Sequence, residues 1–193
     1  MIRPMQITLI AIAAAVVLLA VWVFNRLVGL RNRAANAWSD VDVQLKRRHD
    51  LVNNLVETVK GYAKHERQTL EQVVRARTAA VDARGAGAPA AAGLAEGLLG
   101  GTIQSLFAVV EGYPELKASD RFLDLQRALT EVEDHIQNAR RYYNAVVRDF
   151  NTRIQSFPDM LISRPLGFTE REFFELDSRD EAEAPRVKLD DPS

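Results

Sequence analysis

A long apolar run near the N-terminus constrains this chain more than any other feature. Residues 7–24 are apolar except for Thr8, and Arg3 and Arg26 stand on either side of the run. About 18 residues at roughly 1.5 Å rise per residue give about 27 Å of helix, close to the hydrocarbon thickness of a bilayer. The sequence therefore predicts a transmembrane anchor, with residues 1–26 forming the N-terminal tail and the anchor.

A cleaved signal peptide is the main alternative to an anchor. Its apolar region normally has about 7–15 residues and ends at a cleavage site of small residues. The run here is longer and is followed directly by Asn25 and Arg26, so we expect an uncleaved, single-pass anchor. More basic residues follow the run than precede it, because Arg26, Arg31 and Arg33 stand against Arg3 and the α-amino group. This bias favours a cytoplasmic body, with the opposite orientation as the alternative.

The chain after the anchor keeps a helical periodicity over a long stretch. Apolar or small residues recur every three or four positions, on a stripe made of Leu27, Leu30, Ala34, Ala37, Val41, Leu45, Val52, Leu55, Val59, Tyr62, Leu70 and Val73. Such a stripe is one face of a long helix. No proline lies between Pro4 and Gly85, so we expect the anchor helix to continue to about Arg84. Gly61 is a weak point within it, and a break at 29–32 is the alternative.

A second stripe predicts a second long helix. Ser119 or Asp120 is the expected N-cap, Pro158 ends the pattern, and the apolar positions are Phe122, Leu125, Leu129, Val132, Ile136, Ala139, Tyr143, Val146, Phe150, Ile154 and Phe157. Each stripe must be buried, so we expect the two long helices to pair antiparallel. The predicted fold class is all-α: a transmembrane helix that continues into an antiparallel up-and-down helical bundle.

The remaining segments complete the predicted organisation. Glycine, alanine and proline dominate residues 85–101, which predicts a mobile connection with about a turn of helix near 94–99, before a short helix at 103–110. A further short helix at 159–163 and a turn at Gly167 precede aromatic residues that we expect to fold back as a cap, namely Phe168, Phe173 and Phe174. We expect one bundle domain over 27–176, and a charged, disordered tail over 177–193.

Two stretches resemble a known family. They are residues 37–66, AWSDVDVQLKRRHDLVNNLVETVKGYAKHE, and residues 113–158, YPELKASDRFLDLQRALTEVEDHIQNARRYYNAVVRDFNTRIQSFP. Both resemble the LemA family of bacterial membrane proteins, and the likeness extends to the anchor and to the final aromatic element. The resemblance implies an up-and-down helical bundle outside the membrane and a place in the bacterial inner membrane. It implies no catalytic residues and no established activity.

The candidate sites are few. Lys46, Arg47, Arg48 and His49 form the densest basic patch, which predicts either a partner-binding surface or a solvated face with Arg48 entering the seam to pair with an acid. Asn144, Asn151 and Arg140 near the second stripe are candidates for a buried network with Asp40, Asp42 or Gln44. Trp38 and Tyr142 are expected to be core anchors.

Chemistry at a metal or a nucleophile is not predicted. His65 and Glu66 with Glu57 and His135 lack the spacing of a zinc motif, and the chain contains no cysteine. No serine has a nucleophile-elbow context, and no cofactor is expected. A net charge of -1 at pH 7 supplies no general attraction to nucleic acid.

These features predict a non-enzymatic, membrane-anchored scaffold or adaptor that recruits or organises other membrane proteins. The expected partners are the lipid bilayer through residues 7–24 and other membrane proteins, with a membrane protease or quality-control system suggested by the family resemblance. A membrane-shaping or membrane-organising homo-oligomer is the alternative, since the small-residue face of the anchor permits close helix approach. An enzyme with an unrecognised site in the bundle is the remaining alternative.

Overall fold

The computed structural model describes residues 4–63 and 65–176, and over these residues the chain forms α-helices and no β-strand. The helices are α1 (Pro4–Tyr62), α2 (Arg67–Gly85), α3 (Pro89–Val110), α4 (Pro114–Lys117), α5 (Asp120–Gln155) and α6 (Met160–Ser163). The predicted all-α class is confirmed, including the long apolar N-terminal helix and antiparallel packing. Arg3 and the predicted tail at 177–193 lie outside the described residues.

Helix α1 carries the apolar run and continues past it without a break. Residues 4–19 are exposed, and fully buried positions begin at Val23 and Leu27. An apolar helix with exposed side chains on every face is typical of a segment that lies in lipid, so this part of α1 suggests a membrane anchor. The alternative of a break at 29–32 is wrong, because the helix is continuous there.

The first long helix ends earlier than the sequence predicts. The spacing predicts a helix that reaches Arg84, but α1 ends at Tyr62, directly after Gly61, and α2 begins at Arg67. Glycine is about 1 kcal/mol less favourable than alanine in a helix, so this site is a low-cost place to stop. Helix α2 packs antiparallel against α3. This packing stabilises two separate helices over a region that the apolar spacing alone predicts as one.

The glycine- and alanine-rich segment is helical, which corrects the predicted mobile connection at 85–101. Helix α3 starts at Pro89, in the position where proline is favoured because its missing N–H would have no helical partner. The connection before it shrinks to residues 86–88, with Gly87 at φ 70°. Seven positions of α3 are buried at helical spacing: Ala92, Gly93, Glu96, Leu99, Ile103, Leu106 and Val110. Although α3 is also long and apolar enough to cross a membrane, this buried face with Glu96 in it is that of a helix packed on protein.

The chain divides into two compact units. The first unit comprises Met1–Leu51 and Gln126–Phe173. Within its described part α1 and α5 run antiparallel. Val23 and Leu27 cluster with Phe150 and Ile154, whereas Trp38, later on α1, has its ring 5.3 Å from that of Tyr143, which is earlier on α5. The predicted pairing of the two stripes is confirmed in this unit.

A segment after α6 returns along α5 within the same unit. Asn151 donates its amide to the carbonyl oxygen of Arg171 and accepts from the Arg171 N–H, each at 2.9 Å. The Tyr143 hydroxyl donates to the carbonyl of Glu172 at 2.9 Å. Phe168 follows the turn at Gly167 (φ 72°) and packs against the core cluster. The predicted return of the C-terminal aromatics is confirmed for Phe168.

The second unit comprises Val52–Leu125 and Phe174–Ser193. Its described core is built from α2 and α3, together with the last turns of α1, the first turns of α5 and Phe174; the buried side chains include Val52, Leu55, Val59, Leu70, Val73, Leu99, Leu106, Leu116, Phe122 and Phe174. The rings of Phe107 and Phe122 meet edge to face at 5.9 Å. Most of both predicted stripes is buried, but Tyr62 and Phe157 are exposed.

Candidate functional site

The predicted basic patch is divided by the packing of α1. Lys46 and Arg47 are exposed, whereas Arg48 and His49 are buried. Arg48 lies 3.2 Å from a carboxylate oxygen of Glu133 on α5. Because adjacent residues of a helix point about 100° apart, four consecutive residues cannot share one surface. Arg48 therefore belongs to the seam between α1 and α5, and the surface part of the patch is Lys46 and Arg47.

Of the two exposed basic residues, Lys46 and Arg47, the second already makes an ion pair. Arg47 lies 3.7 Å from Glu131, and both side chains are about half exposed. An exposed pair of this kind contributes about 0–1 kcal/mol, because water screens both charges. An acidic partner could replace Glu131 at low cost, so the geometry leaves Lys46 and Arg47 open to such a contact.

The second unit contains an apolar groove. It lies between the last turns of α1 and the first half of α2 and has a volume of about 790 Å³. Its lining consists of Val56, Glu57, Lys60, Ala63, Arg67, Leu70, Glu71, Val74 and Arg75. The groove lies where α1 ends at Tyr62 and α2 begins at Arg67, and residues of both helices line it. The apolar spacing of the sequence does not reveal this groove, because it predicts one unbroken helix to Arg84.

The groove has an apolar floor and a charged rim. Val56, Ala63 and Leu70 are buried, while Val74 is half exposed. On the rim Glu71 lies 2.9 Å from Arg67 and 3.5 Å from Arg75. These ion pairs are largely exposed, so each contributes little to stability and is easily exchanged. Apolar floors with charged rims fit a polypeptide partner that buries apolar side chains and exchanges ion pairs at the edge.

The remaining candidates take structural positions. Glu66 accepts a hydrogen bond from the Tyr113 hydroxyl at 3.0 Å, and this bond raises the pKa of Tyr113. His135 lies 3.6 Å from Glu131 one turn away on α5. Within residues 4–63 and 65–176, no group of three His, Cys, Asp or Glu side chains is arranged to hold a metal ion.

Two polar or aromatic predictions are corrected by the contacts. Asn151 binds the backbone of Arg171 instead of joining α1, because the returning segment offers both a donor and an acceptor at the right distance. Tyr142 is 57% exposed, and the neighbouring Tyr143 is the buried ring that packs against Trp38. The two tyrosines are adjacent on α5 and therefore point about 100° apart, so only Tyr143 lies on the apolar stripe.

The structure defines an all-helical protein in which a long apolar N-terminal helix continues into antiparallel helices, and that first helix suggests a membrane anchor. The sequence model of the LemA family matches residues 37–189, so the chain belongs to the LemA family. The resemblance found in the sequence is thereby confirmed.

Individual relatives are distant. The chain is 27% identical over 176 residues to Magnetosome protein MamQ 2 of Paramagnetospirillum magneticum, covering 79% of this chain and 64% of that protein. It is 25% identical over 175 residues to Magnetosome protein MamQ of Magnetospirillum gryphiswaldense, covering 78% and 64%. Protein LemA of Metamycoplasma hominis is 25% identical over 168 residues, covering 86% of this chain and 73% of that protein. The chain thus spans 64% of the length of the magnetosome relatives it matches.

Proposed function

We propose that this LemA-family protein is a non-enzymatic, membrane-anchored scaffold that recruits other membrane proteins. The observation that carries the proposal is the continuity of α1, which passes from the exposed apolar run into buried core positions without a break. Holding a binding domain at the bilayer raises its effective concentration near other membrane proteins without any new contact. Recruitment of this kind needs a docking surface and no catalytic groups.

The groove between α1 and α2 is the docking surface that we assign to this scaffold. Its partner is a polypeptide segment whose apolar side chains, one helical turn apart, pack against the groove floor of Val56, Ala63 and Leu70. The rim carries both signs of charge, so the partner segment carries both as well. By family resemblance the partner belongs to a membrane proteolysis or quality-control system.

In-cell photo-crosslinking from the groove tests this function. A photo-reactive amino acid at Val74, which lines the groove, is compared with one at Tyr142, which is exposed on α5 outside it. We expect membrane proteins to crosslink at Val74 and not at Tyr142. Glu substituted at Leu70 in the Val74 probe variant should abolish the crosslink, because a carboxylate in the apolar floor disfavours the partner. Equal crosslinking from both positions would contradict a groove-specific partner.

The alternative of a membrane-organising homo-oligomer gives a different result in the same experiment. Crosslinks of the chain to itself, at either position, would favour it over recruitment. We propose that the body is cytoplasmic, because three arginines follow the apolar run closely. A topology reporter fused at Ser193 checks this, and activity of a reporter that functions only outside the cytoplasm would reverse the orientation.

A further inference from the structure

The turn after α5 exposes large apolar side chains in the first unit. Phe157 is 75% exposed, Leu161 60% and Leu166 54%. They lie within residues 156–168, between the end of α5 and the returning segment. Single exposed apolar residues are ordinary on protein surfaces, whereas three within ten residues form a patch that needs an explanation.

The antiparallel packing places this turn beside the end of the apolar run. Phe150 and Ile154 of α5 cluster with Val23 and Leu27, so residues after Ile154 lie toward the N-terminal side of this cluster along α1. Ile162 and Phe168 pack against the same cluster and hold the turn at this level. The apolar run ends at residue 24. The exposed side chains of the turn therefore lie at the same level along α1 as the C-terminal end of the apolar run.

The surroundings have the chemistry of a membrane interface. Trp22 is half exposed, and the guanidinium of Arg26 lies 5.2 Å from the centre of its ring. Phe24 meets Phe168 at 6.1 Å, and Arg31 lies 5.7 Å from the Phe168 ring. Tryptophan and arginine are favoured at the boundary between headgroups and acyl chains, where an aromatic body and a charged tip are both solvated.

The charges of the turn also fit a lipid surface. Residues 156–168 contain one acid, Asp159, and one base, Arg164. Asp159 is buried and lies 3.8 Å from Arg153, while Arg164 is exposed. The turn thus presents apolar side chains and an arginine to its surroundings, and a basic side chain near an anionic surface is attracted to its headgroups.

We propose that residues 156–168 form a second membrane contact, in which Phe157, Leu161 and Leu166 enter the interface beside the anchor and Arg164 binds anionic headgroups. The occupant is the bilayer itself, because Phe168 at the end of this segment meets Phe24 at the end of the apolar run. A second contact fixes the direction in which this unit leaves the membrane, which a single helix does not. The proposal rests on the N-terminal anchor and is independent of recruitment at the groove.

Depth-dependent fluorescence quenching tests the contact on the full chain. The chain contains no cysteine, so a single introduced cysteine carries one environment-sensitive fluorophore. Labels at Phe157→Cys, Leu161→Cys and Leu166→Cys are compared with one at Val43→Cys, an exposed apolar position of α1 well beyond the run. Each protein is reconstituted in vesicles of phosphatidylcholine and phosphatidylglycerol that contain phosphatidylcholine spin-labelled either near the headgroup, for the turn positions and Val43, or deep in the acyl chain, for Val17. Val17→Cys, within the run, is the positive control.

We expect quenching at the three turn positions and at Val17, and no quenching at Val43. Since all the labelled positions are exposed, the substitutions should leave folding intact, which circular dichroism checks. Unquenched labels at the turn, in vesicles where the label at Val17 is quenched, would overturn the proposal. Quenching at Val43 as strong as at the turn would overturn it too, because the whole unit would then lie on the bilayer. Neither result bears on crosslinking at the groove.

Discussion

Three glycines one turn apart on α3 offer a sharp test of how the C-terminal segment is held. A Cβ added at Gly93 would overlap the carbonyl oxygen of Glu175 and lie 2.8 Å from its carbonyl carbon. One added at Gly97 would overlap the carbonyl oxygen of Leu176. One added at Gly101 would meet nothing within 4 Å. Gly93→Ala and Gly101→Ala are therefore the same chemical change in the same helix, and only the first displaces the segment.

The size of the difference follows from what the segment buries. Alanine in place of glycine favours a helix by about 1 kcal/mol at either position, so this gain cancels between the two variants. At Gly93 the backbone of Glu175 must move, and it follows directly on Phe174, which is fully buried. Burying a phenylalanine contributes about 1.5–3 kcal/mol. We expect Gly93→Ala to be less stable than Gly101→Ala by about that amount.

Thermal unfolding of the full chain in mild detergent, followed by far-ultraviolet circular dichroism, measures the difference. For a chain of this size 1 kcal/mol corresponds to about 2–4 °C, so the two melting temperatures should differ by roughly 3–12 °C. Gly101→Ala should equal or exceed the wild type. A Gly93→Ala protein that melts with or above Gly101→Ala would refute the close packing of the C-terminal segment on α3.

Three further predictions concern the first unit. Phe168→Ala should cost about 2–4 kcal/mol in urea unfolding because its ring packs against two other phenylalanines; an unchanged midpoint would contradict that packing. Arg48→Ala should cost about 1–3 kcal/mol in the same assay and Arg47→Ala less than about 0.5, because only Arg48 is buried; equal losses would remove the distinction. Burial raises the pKa of Tyr143, so its neutral form stabilises the fold fully below about pH 10 and this contribution is lost as pH rises through the folded pKa. Tyr143→Phe should therefore lose less stability than wild type as the pH rises above about 10; parallel profiles would argue against it.

The apolar spacing predicts the parts of this fold that depend on one helix face. A stripe that repeats every three or four residues must be buried whatever its partner, so the seam positions of α1 and α5 could be identified without the structure. The start of α5 at Asp120 and its end before Pro158 follow from local backbone chemistry in the same way. The spacing also allows Arg48 to enter the seam and pair with an acid, and the structure pairs it with Glu133; a partner for Lys46 and Arg47 stays a prediction.

The break after Tyr62 and the helix at Pro89–Val110 depend on tertiary packing. Gly61 weakens a helix by an amount that other contacts can easily outweigh in either direction, so its presence alone does not locate an end. In 85–101, glycine and alanine are compatible with a mobile connection or with a tightly packed helix. The structure shows the helix, because Gly93 and Gly97 admit a neighbouring backbone that a larger residue would exclude.

The sequence by itself determined that this protein is helical, that its N-terminal helix is apolar enough for a bilayer, and which faces of its two long helices are buried. Those properties depend on residues close together in the chain and on solvent preference alone. Tertiary structure decided where α1 ends, that a groove lies between α1 and α2, and that the turn at 156–168 is level with the end of the apolar run. Each of these depends on contacts between helices, which form only after the chain packs.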